Sequence, residues 1–343
     1  MNKRITIFAG AGASKAVDPD QYPTTVEFFD RLPISVTTNL LFKSVVAFLM
    51  QDDKNRILDI EIILWKLSEL LSFCEQVSNQ EEFPAWLFLQ NHLAPMLPDR
   101  NWRTGHLEPM AKSTWSSAAR LRDEINAQVY SFYSEVPSSE KLDRTWKPLL
   151  ENLLQSGCSI ELITTNYDVV LEEAISDLDI EFQHNFKVGW DEGSFRKLNP
   201  RVWDKPLGLG LLTKLHGSVN WTSEGKDIYV GGPVFSGSHE KHAIIYPGFK
   251  GVPEKGIFLS FHEHFRKSIK ASDAILFVGY AFRDNYINEL CSREIANECK
   301  VATIDPSKKL ELPFNHPLNK TKHIRKGFDV ASVNEAVAFL NST

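Results

Sequence analysis

Five short motifs in this chain carry side chains able to hold an anionic ligand or move a proton. Gly10-Ala11-Gly12-Ala13-Ser14 offers glycines that let a backbone approach a pyrophosphate, and the helix expected next presents unpaired N–H groups and a positive dipole end. The alternative for a lone Gly-x-Gly is a tight turn. Position 15 is Lys, so the full G-x-G-x-x-G is absent, and no ribose-binding acid follows a second strand about 20 residues on; an ordinary dehydrogenase fingerprint is excluded. Thr164-Thr165-Asn166-Tyr167-Asp168 sets an amide that donates and accepts hydrogen bonds two residues before a carboxylate, although either Asn166 or Asp168 could simply cap the next helix. Lys214-Leu215-His216-Gly217-Ser218 ends an apolar strand on a histidine, the side chain best suited to acid–base work near neutral pH. His239, His242, His262 and His264 lie close in sequence but lack the H-E-x-x-H spacing, and no metal site is expected from them. Val278-Gly279-Tyr280-Ala281-Phe282-Arg283-Asp284 places another glycine after an apolar strand, with Asp284 suited to cap a helix. Ile304-Asp305-Pro306 closes a late strand with a carboxylate that suits either a ribose hydroxyl or a plain turn.

The elements that must position these motifs are parallel strands. Ile5–Ala9 is β-branched or apolar at every position, the pattern of a strand buried on both faces. Strand patterns return at 160–164, 211–215, 274–278 and 301–304, with helical periodicity at 169–178, 257–269, 286–297 and 330–340. Strands alternating with helices predict an α/β fold: a Rossmann-like parallel sheet flanked by helices. Ile57, Ile60, Leu64, Leu67 and Leu71, and again Ala118, Leu121, Ile125, Val129 and Phe132, recur at helical spacing. No strand pattern falls between about 34 and 155. The predicted organisation is therefore a sheet domain of residues 1–33 plus 156–343, with a large inserted α-helical module over 34–155. Two Gly- and Pro-rich stretches, 186–210 and 217–256, read as long loops of the kind that close over sites.

Composition bounds the function classes. The chain has 343 residues, 43% hydrophobic and 24% charged, so collagen-like, coiled-coil and disordered readings are excluded. Its net charge of −6 argues against sequence-specific nucleic-acid binding over a broad surface. Four scattered cysteines make no Cys-x-x-Cys pair, which points to a reduced, cytoplasmic setting without a disulfide framework or zinc ribbon. No apolar run approaches the ~20 residues of a membrane span. Residues 2–13 have the look of a very short signal peptide, but their apolar core is at the lower length limit and serves better as a strand and turn.

Taken in order, Gly-Ala-Gly-Ala-Ser, Thr-Thr-Asn-Tyr-Asp, Leu-His-Gly and Val-Gly-Tyr-Ala-Phe resemble the motifs of the sirtuin-like superfamily of NAD-consuming proteins. Pro23-Thr24-Thr25 is similar to a segment that follows the glycine turn in its bacterial branch. The resemblance covers about 1–33 and 157–340. It implies that Ala9, Gly10, Ala11, Gly12 and Ser14, with Thr24, hold the NAD pyrophosphate side of the substrate. Asn166 and Asp168, with Thr165, would lie beside the nicotinamide ribose, His216 would be the base, Gly279 and Tyr280 would follow the ribose and phosphates, and Asp305 would meet the adenosine ribose.

The departures from the protein deacylases of that superfamily also inform. Their Gly-Ile-Pro-Asp-Phe-Arg stretch is missing, and the span 217–280 contains none of the four zinc-binding cysteines they carry, so no zinc is expected. The resemblance then implies the branch that hydrolyses NAD+ itself, whose members are bacterial antiviral effectors; the catalytic set would be Asn166, His216 and Asp168. Two other readings stand beside it: a sirtuin-type deacylase or ADP-ribosyltransferase, and a non-catalytic NAD or ADP-ribose scaffold using the helical block as an interface. A free NAD hydrolase would deplete its own cell, so gating is expected through self-assembly as a homo-oligomer, through an activating partner such as a translocase ATPase or a short Argonaute protein, or through both.

Overall fold

The computed structural model describes residues 2–51, 58–78, 107–179, 197–203, 210–224, 226–230, 242–245 and 256–342. The chain divides into two compact units: residues 1–24, 130–245 and 249–343, and residues 25–129 with 246–248.

The first unit is built on a six-stranded parallel sheet. Its strands are β1 (Arg4–Ala9), β2 (Ser159–Thr164), β3 (Leu212–Lys214), β7 (Ala274–Val278), β8 (Lys300–Ile304) and β9 (Thr321–Ile324), in the spatial order β3-β2-β1-β7-β8-β9. This is the doubly wound order of the predicted Rossmann-like fold: the chain runs outward from β1 on one side, then returns to run outward on the other. The strands read as apolar runs because helices cover both faces. All of β7 and β8 is buried, and Phe8 of β1 packs its ring against Phe265 and Phe277 at 5.4 and 5.7 Å.

The flanking helices begin and end where local chemistry dictates. In this unit they include α1 (Ala11–Val17), α8 (Trp146–Gln155), α9 (Val170–Ser176), α10 (Ile257–Ala271), α11 (Asn285–Glu294) and α12 (Val330–Asn341). Asp329 and Ser332 form a capping box on α12, and Lys300 donates from Nζ to the Phe339 carbonyl at its far end (3.2 Å), a cation on the negative pole of the helix.

Two elements depart from the sequence reading. The stretch 217–256, expected to be loop, contains β4 (Gly217–Glu224), β5 (Asp227–Val230) and β6 (His242–Ile244), an antiparallel sheet with β4 in the middle. The edge strand β9 of the main sheet has only Ile324 buried and so lacked the apolar pattern that marks the central strands. The 186–210 stretch is described only at 197–203 and 210, where Pro200–Val202 forms one 3-10 turn capped by Asn199.

The second unit is helical. It comprises α2 (Thr25–Asp30), α3 (Ile34–Thr37), α4 (Leu40–Leu49), α5 (Ile60–Ser78) and most of α6 (Leu107–Tyr133), whose last residues belong to the first unit. Ile60, Leu64, Leu67 and Leu71 are buried as one stripe of α5, and Ala118, Leu121, Ile125 and Val129 as one stripe of α6. Ile57 lies outside the described residues. Asn39 caps α4 by accepting from the Leu41 and Phe42 N–H groups. Among the described residues of 34–155 there is no strand.

Candidate functional site

Register sets the site. Ala9 pairs with Thr164 on one side and Val278 on the other, Thr164 pairs with Lys214, and Val278 pairs with Ile304. Because these strands are parallel and end on that one row, the loops starting at Gly10, Thr165, Leu215, Gly279 and Asp305 all leave the sheet at one level of its carboxyl edge. That edge is where open α/β sheets bind ligands.

At the centre the turns after β1 and β7 touch. The Gly10 N–H donates to the Val278 carbonyl and the Gly12 N–H to the Gly279 carbonyl, both at 2.9 Å. A Cβ on Gly10 would stand 2.6 Å from the Gly279 oxygen, one on Gly12 2.9 Å from the Gly279 Cα, and one on Gly279 2.2 Å from the Ala13 nitrogen. Gly279 also has φ +57°. Contact between two backbones therefore accounts for these glycines, beside any role toward a phosphate.

Asn166 is tied to the same turn. Its Nδ2 donates to the Gly10 carbonyl and to Ser14 Oγ, each at 2.9 Å, while its N–H donates to Thr164 Oγ1, whose hydroxyl in turn donates to the Ala9 carbonyl. Ser14 also bonds the buried Asp168 carboxylate, which accepts from the Val170 N–H at 3.1 Å. Asp168 thus serves the start of α9, and Asn166 does not. Burial pushes the Asp168 carboxyl up, against the Lys214 ammonium, Ser14 hydroxyl and Val170 N–H. Lys214, fully buried at the end of β3, donates to the Asp168 carbonyl and to Glu172 Oε1 at 2.8 Å.

His216 comes off the neighbouring strand. The Leu215 N–H donates to the Thr164 carbonyl at 2.8 Å, and the Tyr167 and His216 rings lie 6.4 Å apart, so the Asn166 and His216 loops are adjacent. Gly217 follows with φ +86°, and a Cβ there would stand 1.9 Å from the Ala243 carbonyl of β6; the glycine after the histidine is required by that passing strand. The His216 ring is buried, its Nδ1 has no hydrogen-bond partner among the described residues, and its Nε2 lies 3.7 Å from Asp284 Oδ2. Burial pushes the imidazole down to about 4, which keeps it neutral near pH 7. His262 of α10 is also held down to about 4 by burial and by His216, with Asp284 acting the other way. Asp284 caps α11 by accepting from the Ile287 N–H at 3.1 Å, and burial raises its carboxyl.

The remaining sequence candidates take different places. Thr165 opens the Asn166 loop and Ala11 begins α1. Asp305 accepts from the Ser307 N–H at 2.8 Å, a turn contact. Tyr280 turns its ring onto Phe8 at 4.5 Å and Phe282 at 4.9 Å, within the aromatic core. Thr24 follows Tyr22 and Pro23, whose bonds run to Glu135 and Tyr133. His264 is a core residue between Glu161 Oε2 (3.1 Å) and the Trp203 carbonyl (3.2 Å), and His239 lies outside the described residues. Among the described residues no three His, Cys, Asp or Glu side chains gather as metal ligands, and no helix is long and apolar enough to cross a membrane. Sequence reasoning set His262 aside and gave Asp284 only a capping role; nothing in their spacing signals that both reach His216.

Several solved structures are similar to this chain at low identity. A Sir2 homologue in complex with 2'-O-acetyl ADP-ribose is 12% identical, with 98% of this chain and 92% of that chain covered and a TM-score of 0.43. A Sir2 homologue–NAD complex is also 12% identical, with 98% and 89% covered and a TM-score of 0.41. No curated protein matches the chain. Residues 160–309, which carry the Asn166, His216, Gly279 and Asp305 motifs but not the glycine turn, match the family model of a SIR2-like domain.

Proposed function

We propose that this protein is an NAD+ glycohydrolase that cleaves NAD+ to nicotinamide and ADP-ribose. The observation that carries the reading is that Asn166 and His216 stand on adjacent loops of one sheet edge, with Asn166 bonded to the glycine turn. The match of 160–309 to a SIR2-like domain supports it.

In this reaction the bond from the anomeric carbon to the nicotinamide nitrogen breaks, and the electron pair leaves with nicotinamide. The ribose passes through an oxocarbenium-like state, as in other glycosidic cleavages, and a water oxygen closes on the same carbon. The Nδ2 of Asn166 is engaged by Gly10 and Ser14, so its Oδ1 is the atom that orients a ribose hydroxyl or the water. His216, neutral because it is buried, accepts the proton that water or a ribose hydroxyl gives up. Asp168, held by Ser14, keeps the Asn166 network in place and adds negative charge near the developing cation.

Hydrolysis is favoured over deacylation because 217–280 holds no cysteine with which to build the zinc lobe beside an acyl-lysine cleft. The same reading makes the protein a gated, cytoplasmic antiphage effector, active after self-assembly or with a partner such as a translocase ATPase or a short Argonaute protein. The test follows NAD+ by chromatography with the protein alone and with such partners. Nicotinamide release without an acyl-lysine peptide is expected, and Asn166→Ala or His216→Ala lowers it by about 10²–10⁴-fold while the melting temperature holds. Undiminished turnover in both variants, or turnover only with an acylated peptide, overturns the assignment.

A further inference from the structure

Charged or titratable groups meet the His216 ring from three elements. Asp284 comes from the N-cap of α11, His262 from α10, and Tyr167 from the loop after β2. A neutral imidazole carries its proton on one nitrogen only, and the neighbour of the other nitrogen decides which. Here the two sides differ: Nε2 has the Asp284 carboxylate 3.7 Å away, and Nδ1 is buried without a partner among the described residues. A proton on Nδ1 would bury a donor with no acceptor and set the Nε2 lone pair against a carboxylate. We propose that Asp284 is a positioning residue for His216, selecting the tautomer protonated at Nε2 and leaving Nδ1 as the nitrogen that accepts the proton in the reaction.

The position of Asp284 is well determined. Its Oδ1 is committed to the Ile287 N–H, which leaves Oδ2 for the histidine. Two residues earlier Phe282 has φ +52°, a left-handed conformation rare outside glycine, and its carbonyl accepts from Asn288 Nδ2 at 2.7 Å. That bend turns the chain from the aromatic core at Tyr280 to the N-cap at Asp284. When Nδ1 takes a proton, the imidazolium that forms already has its Nε2–H facing a carboxylate, the arrangement by which an aspartate serves a basic histidine in hydrolytic triads.

The catalytic consequence rests on the proposed hydrolysis, but the tautomer does not, and the experiment separates them. Asp284→Asn keeps the helix cap, since asparagine caps as well as aspartate, and removes the charge; Asp284→Ser is a second variant of the same kind. Ring ¹⁵N shifts, with the His216 signals identified by their loss in His216→Gln, are expected to show His216 protonated at Nε2 in the native protein and shifted toward Nδ1 protonation in Asp284→Asn. In the activity arm kcat for nicotinamide release falls by at least about tenfold, with KM changing less and the melting temperature near native. A native His216 protonated at Nδ1, or a tautomer unchanged in both capped variants, overturns the proposal. Absence of NAD+ cleavage under every activating condition overturns the hydrolase reading instead, and the ¹⁵N result still decides the role of Asp284.

Discussion

At the junction of the turns after β1 and β7, the Gly10 and Gly12 N–H groups both find carbonyls, and the glycines are there because two backbones touch. At the corner after β3, the same edge of the same sheet, His216 and His262 each bury an Nδ1 with no partner. A buried polar group without a partner costs about 1–3 kcal/mol. One region is therefore closed and self-sufficient, and the other holds buried polar atoms with no partner among the described residues. The difference separates what holds the sheet edge together from what the proposed reaction would use.

Gly279→Ala tests the closed region most severely. Its Cβ would fall 2.2 Å from the Ala13 nitrogen at φ +57°, so a loss of at least about 3 kcal/mol is expected in denaturant unfolding. A near-native midpoint would mean the two turns are not packed as described. Lys214→Met comes next, because it strips Glu172 of its buried cation and the Asp168 carbonyl of a donor. With Glu172 partly exposed, about 2 kcal/mol is expected, together with reduced nicotinamide release. Unchanged stability would show that the ion pair contributes nothing measurable. Gly157→Ala is the control for conformation alone: φ is +73° but nothing lies within 4 Å of the added Cβ, so about 1 kcal/mol is expected.

The smallest effect concerns the open corner and pH. His216 and His262 sit at about 4 instead of 6.5, so between those values the unfolded chain binds more protons than the native one. Their contribution lowers stability as pH falls from 6.5 toward 4 and vanishes above 6.5. The raised carboxyls of Asp168 and Asp284 act with the opposite sign, losing their contribution as pH rises through their folded values. Comparing native protein with His216→Gln at each pH isolates the histidine: the variant should show the shallower loss on acidification. Equal slopes would mean that His216 is not buried in its neutral form.

The motif-bearing strands were legible because a strand covered on both faces must be largely apolar, as Ala274–Val278 is throughout and Ile5–Ala9 is apart from Thr6, whose hydroxyl pairs with Ser272. The edge strand β9 and the small sheet β4–β6 were not, because β9 buries only Ile324, Asn220 interrupts the buried Val219 and Trp221 of β4, and the flanking glycines and prolines read as loop. In the candidate site the sharing of one sheet edge by the Asn166 and His216 loops was anticipated; the bonds from Asn166 to Gly10 and Ser14 were not.

Local chemistry written along the chain determined which residue types stand at each strand end: a glycine turn, an amide, an imidazole and a capping aspartate. Which atoms face one another was decided by the tertiary structure alone. Parallel register brings residues far apart in the chain to one level, and packing of α10 and α11 then sets His262 and Asp284 against His216. Periodicity records whether a side chain turns inward; it holds no information about the partner that side chain meets there.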